Sequence, residues 1–157
     1  MRDVLLVLHI LSAFLFVAGA LTTTMLDLYA RGSTATRTLG MAADVQRKAG
    51  LFAVVPGAVL ALVFGSWLVV EVGFGFGEAW ISASYALWIV ALALGPAMLG
   101  SHHRRVKQQA DRLLAQGVET SPDLQREFNA PLAKAISGLI GLIIIALVYL
   151  MVAKPGA

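Results

Sequence analysis

The 157-residue chain contains no cysteine. Disulfides, thiolate nucleophiles and cysteine-ligated zinc or iron–sulfur centres are therefore excluded. Charge is the second scarcity. Only 13% of residues are Asp, Glu, Lys or Arg, where a soluble globular domain carries about 25%. Hydrophobic residues make up 59%, and the mean hydropathy is +0.81. So few charges cannot cover a monomer's surface, and the surplus apolar area is expected to face lipid. Catalytic motifs are the third absence: there is no nucleophile–base pair, phosphate-binding loop or metalloprotease pattern. No charged residue lies deep in an apolar run, which counts against an ion-coupled transporter.

What the chain does have is four uncharged apolar runs, Val4 to Leu26, Ala49 to Val70, Ala79 to Ser101 and Ala135 to Ala153. A spanning helix needs about 20 residues, and backbone groups in hydrocarbon must be paired within their own segment. Four transmembrane helices follow. Ten of the twelve Lys and Arg residues fall on one side: Arg31, Arg37, Arg47 and Lys48 after the first run, and Arg104, Arg105, Lys107, Arg112, Arg126 and Lys134 after the third. Only Arg2 and Lys154 fall on the other. The positive-inside rule then puts both termini outside a bacterial inner membrane. The same asymmetry accounts for the pI of about 9.6 without a nucleic-acid partner. Arg2, the first apolar run and "AGA" at Ala18 to Ala20 resemble a cleavable export signal. The apolar run continues to Leu26 and its cationic flank follows it, so a retained helix is expected.

The expected fold is all-α: one transmembrane domain over residues 1–157, four antiparallel helices in a bundle, the third extended into the cytoplasm. Val106, Ala110, Leu113 and Leu114 carry helical spacing past the third run as far as Gly117, a candidate C′ residue. Ser121 with Pro122 marks a helix start, and "NAP" at Asn129 to Pro131 opens the fourth helix. Thr36 to Lys48 is expected as a short interfacial helix, and Asp27 and Arg31 are spaced for an i,i+4 pair. Trp67 and Trp80 flank "GFGFGEAW" and predict an aromatic interfacial belt. Gly57, Ala61 and Gly65, and likewise Ser137 and Gly141, form small-residue faces for close helix contact. Pro56 and Pro96 are expected to bend their helices.

The segments "LHILSAFLFVAGA", "VVPGAVLALVFGSWLV", "ALGPAMLGSHHRR" and "YLMVAKP", taken in order, cover nearly the whole chain. Through them the chain resembles a bacterial family of predicted integral membrane proteins of unassigned function (domain of unknown function 2269). That resemblance implies a four-helix membrane protein. More distantly, "LH" entering the first of four helices is similar to membrane protoporphyrinogen oxidases and copper-resistance membrane domains. The aromatic residue and lysine that precede the histidine in the oxidase pattern have no counterpart in Val4 to Leu8. Only His9 carries over.

An ionisable side chain at membrane depth is a candidate site by default. His9 lies about 9 Å inside the outer end of its helix. Ser66, Ser84, Tyr85 and Tyr149 fall at the same depth, with Glu71 above them. This layer is the candidate cofactor-binding set: His9, Tyr85, Tyr149, Ser66 and Glu71. Three chemistries suit it: haem or porphyrin ligation, proton relay, or copper binding with Met1 or Met151. The plainer account is a neutral imidazole hydrogen-bonded to a Tyr or Ser hydroxyl, or to a backbone carbonyl, within the bundle. His9 is expected to face inward on a stripe with Leu5, Ser12, Ala13 and Phe16, and to meet Tyr85 or Tyr149. His102, His103, Arg104 and Arg105 form a candidate lipid-headgroup cluster. The function expected is a non-catalytic accessory, scaffold or lipid-contacting unit. The alternatives are a haem- or porphyrin-binding redox protein built on His9 and, after it, a copper-handling protein. Expected partners are membrane lipids and a membrane-protein partner or second copy.

Overall fold

The computed structural model describes residues 1–155. Helix α1 covers Arg2–Ala30, α2 Thr36–Val72, α3 Ala79–Ala115, α4 Pro122–Phe128 and α5 Pro131–Ala153. The first, second, third and fifth are long and apolar enough to cross a membrane. In the best apolar stretch of each, no more than 22% of the residues are buried within the chain. Side chains such as Phe14, Ile89, Leu142 and Ile145 stand exposed on its outside, which is stable only against lipid.

Neighbouring long helices pair in opposite directions. Along α1 and α2, His9 meets Ala61 and Gly65, Phe16 meets Gly57, Gly19 meets Val54, and Thr23 meets Gln46. The expected small-residue face on α2 is this seam. A Cβ on Gly57 would lie 2.5 Å from the Phe16 nitrogen, and one on Gly65 would lie 2.9 Å from the His9 ring. Close approach of the two backbones needs glycine at these positions. On the inner stripe of α1, Leu5, Ser12 and Phe16 are buried and Ala13 is half-buried, and Gly19 is buried as well.

Two cores stack along the bundle. In the apolar half, Phe16, Ala58, Ala61, Trp88, Ala91, Ile143 and Leu147 pack together, with the Phe16 and Trp88 rings edge-on at 5.0 Å. At the basic end, Ala30, Leu39, Ala42, Ala43, Val106, Ala110, Leu124 and Phe128 form a second cluster. This second core belongs to a helical cap. The two basic connections are clipped to each other: Thr36 N donates to Glu119 O at 2.9 Å and Ser121 N to Thr34 O at 2.9 Å. The Gln125 and Asn129 side chains both donate to the Arg31 carbonyl. Helix ends follow local chemistry. Gly117, at φ +75°, follows α3 and its cap residue Gln116, and the Ser121 hydroxyl accepts from Leu124 N at the start of α4.

Three expectations need correction. Thr36 to Lys48 is helical, but it runs without a break into the second apolar segment as one 37-residue helix. It is held by cap packing of Leu39, Ala42 and Ala43, while Met41 and Val45 are exposed. Asp27 pairs with Lys134 at 3.3 Å, joining α1 to the base of α5 instead of to Arg31. Trp80 is no lipid anchor. It is buried, donates to Glu78 at 2.7 Å and stacks edge-on against Phe74, with the Lys154 ammonium over both rings. Trp67 remains about half exposed, as a belt residue would be.

Pro56 and Pro96 each accompany a π-helical turn. One covers Gly50–Val54, just before Pro56, and the other covers Gly95–Gly100 around Pro96. Proline removes an N–H and crowds the preceding turn, and a wider turn absorbs both effects. The two turns face each other across the bundle.

Candidate functional site

His9 is placed by α1 against the small-residue face of α2. Its Nδ1 lies 2.9 Å from the Ala61 carbonyl oxygen. A carbonyl can only accept, so Nδ1 carries the proton and donates in this contact. Of the hydroxyls at this depth, Tyr85 and Ser66 pair with each other at 2.5 Å, and Ser66 also donates to the Leu62 carbonyl. Ser84 donates back to Trp80 O in its own helix at 2.7 Å. Tyr149 is 63% exposed on the outer face of α5, and Glu71 is exposed near the end of α2. His9 is therefore met by a backbone carbonyl rather than by Tyr85 or Tyr149. Met1 and Met151 are exposed on the surface.

At the basic end the four histidine and arginine residues of the headgroup cluster point different ways. His102 is buried, 5% exposed, under α4, with Nδ1 3.9 Å from Glu127. It lies beyond the uncharged run of α3. Burial lowers its pKa, opposed by its hydrogen bond to the Phe128 backbone and by the Glu127 carboxylate. Burial and the neighbouring His102 push His103 down to about 4. Both imidazoles are neutral at pH 7. Arg104 and Arg105 are exposed.

Two connected cavities open here. The smaller, about 140 Å³, is polar and is lined by Thr23, Asp27, Gln46, His102, His103 and Lys134 among others. The larger, about 520 Å³, runs between α1, the two π-helical turns and α5. Its walls are mainly apolar, including Leu21, Val54, Trp88, Ile140 and Ile144, and its basic end carries Arg47 and Arg104. Thr23, Gln46, Leu99, His103 and Ser137 line both cavities. Gln46 is 3% exposed; its Nε2 donates to Thr23 O, while its Oε1 has no partner among the described residues. Trp88 Nε1 is likewise buried and unpaired. The second small-residue face lies on this crevice. Ser137 and Gly141 line it, and nothing approaches within 4 Å of a Cβ built on Gly141.

With this geometry in place, comparison with known proteins decides the family. The pattern defining "Predicted integral membrane protein (DUF2269)" matches residues 3–155. The chain belongs to this family. No curated protein and no solved structure matches it. Membership in DUF2269 accounts for the four membrane-capable helices and leaves the work of the protein to be argued from its side chains.

Seen from this DUF2269 chain, the sequence pointed at His9 because a lone imidazole in an apolar run is conspicuous. The crevice was not foreseen. Its one local sign is a pair of glycine–proline segments, "GLFAVVPG" and "GPAMLG", each containing one of the two π-helical turns.

Proposed function

We propose that this protein is a non-catalytic, lipid-contacting accessory or scaffold unit of the bacterial inner membrane, with the basic cap on the cytoplasmic side and both termini outside. The observation that carries this reading is the packed helical cap. It holds the cationic residues of two connections on one rigid platform directly beneath the apolar segments. Fixed cations at that level attract anionic lipid headgroups by about 1 kcal/mol each near the surface. Arg104 and Arg105 stand at the junction of cap and membrane, next to His103. Thermal unfolding in nanodiscs tests the reading. Bilayers rich in phosphatidylglycerol should raise Tm relative to phosphatidylcholine, and the difference should shrink with added salt. Equal Tm values in the two bilayers refute it.

A second reading is favoured by one specific contact, His9 Nδ1 to the Ala61 carbonyl. That hydrogen bond fixes the tautomer a metal-ligating histidine uses. On this reading His9 ligates haem or meets a porphyrin, with the Tyr85–Ser66 pair at the same depth, while Tyr149 and Glu71 stay exposed outside the seam. Visible absorption of the protein purified with haem supplied decides the matter. A Soret band that His9→Leu abolishes supports this second reading; a spectrum unchanged by that substitution rejects it.

A further inference from the structure

The crevice between the π-helical turns joins features that an ordinary helix–helix gap does not. Its volume of about 520 Å³ falls within the roughly 300–1,000 Å³ of small-molecule sites. It is apolar along most of its length and becomes polar only at the cap, where Arg47 and Arg104 flank it. Arg104 makes no ion pair among the described residues, and Arg47 has only a 3.7 Å contact with Asp44. That carboxylate is more closely held by Lys48. Two arginines are thus left at the mouth of an apolar slot. Gln46, almost wholly buried and lining the slot, has an acceptor that nothing among the described residues satisfies. An unpaired buried polar atom costs about 1–3 kcal/mol, so a polar partner at this point is stabilising.

We propose that this crevice is a discrete binding site for one anionic phospholipid of the leaflet at the basic end. The phosphate lies between Arg47 and Arg104, and one acyl chain lies along Val54, Trp88, Ile140 and Ile144. Guanidinium groups match phosphate oxygens in charge and in fork geometry. The site deepens the lipid-contacting reading and rests on it. It differs in requiring one lipid at one place rather than a diffuse attraction of headgroups to the cap.

The experiment is native mass spectrometry of the full chain released from nanodiscs containing equal phosphatidylglycerol and phosphatidylcholine. One phosphatidylglycerol per chain should be retained in preference to phosphatidylcholine. Replacing Arg47→Gln and Arg104→Gln together should reduce retention about thirtyfold, as expected for two cations near a headgroup. Gly141→Leu fills the slot from a position with no atom within 4 Å of its Cβ and leaves both arginines in place. It too should abolish retention, while Arg112→Gln, in an exposed position beyond the slot, should not. Retention that survives Gly141→Leu overturns the crevice but leaves the general preference for anionic bilayers standing. So does a neutral lipid or a quinone as the retained molecule. Loss of the Tm difference between the two bilayers in the unaltered protein removes the broader reading as well.

Discussion

Gly57→Ala is the sharpest test of how the bundle is held together. A Cβ at this position lies 2.5 Å from Phe16 N, 2.9 Å from Phe16 Cα and 3.0 Å from Ser12 O. All three are backbone atoms of a helix, so no rotamer change relieves the overlap. Ordinary contact begins at 3.4 Å, so α1 must retreat by roughly 1 Å at this level. That shift draws Phe16 off the Trp88 ring, now 5.0 Å away. It also stretches the 2.9 Å His9–Ala61 bond beyond hydrogen-bond length. Overpacking costs about 1–3 kcal/mol and loss of an aromatic pair about 0.5–1.5 kcal/mol. A total near 3 kcal/mol lowers Tm by roughly 6–12 °C in a chain of this length. Far-UV circular dichroism in a fixed detergent measures it, with Gly141→Ala as the control. Gly141 has nothing within 4 Å, so alanine there should be neutral or stabilise the helix by up to about 1 kcal/mol. A Gly57→Ala protein that melts within about 1 °C of the parent would show that the α1–α2 seam is not the close contact described.

His9→Leu should leave the bundle folded, with Tm shifted by no more than a few degrees. It removes one hydrogen bond worth about 0.5–1.5 kcal/mol and keeps an apolar group in the notch of Gly65; a collapse in expression and Tm would contradict this. His102 makes the cap acid-sensitive. Burial holds its folded pKa below the ordinary histidine value of about 6.5, so the unfolded chain binds protons first as pH falls. The stability it contributes is present above pH 6.5 and is lost progressively below it. Hydrogen exchange of α4 and the α3 extension should therefore quicken between pH 7.5 and 5, and less so in His102→Gln; equal acid sensitivity in the two proteins argues against this assignment. Leu39→Ala and Leu124→Ala, each truncating a fully buried cap residue, should each cost about 2–5 kcal/mol. Limited proteolysis near Arg31 and Gly117 reads the loss, and unchanged cleavage would mean the cap is not a core.

The spanning helices were legible because lipid imposes one-dimensional rules: about 20 uncharged residues, flanked by cations on one side. Gly117, Ser121 and Pro122 were legible because caps and first-turn prolines are local chemistry. The continuity of α2 was not. Between Thr36 and Ala49 the buried face includes Thr36, Gly40 and Gln46 while Met41 and Val45 are exposed, which blurs the apolar period. That face becomes intelligible only once α3 and α4 are packed on it. His9 was found as a residue, but its partner is a backbone carbonyl, which every residue carries and no pattern marks. Gly57 and Gly141 look alike in sequence; one is a seam and the other lines a crevice. What separates them is the position of neighbouring helices at the π-helical turns.

The proposed function requires the basic cap to stand at the cytoplasmic surface, where it can meet anionic lipid. Labelling of single cysteines with a membrane-impermeant maleimide tests this directly, because the chain has no cysteine of its own. Gly75→Cys lies in the exposed turn between α2 and α3, and Gln116→Cys lies exposed at the tip of the cap. Gly75→Cys is expected to react on intact spheroplasts, and Gln116→Cys only after the membrane is opened. The reverse pattern, with Gln116→Cys labelled from outside, would contradict it.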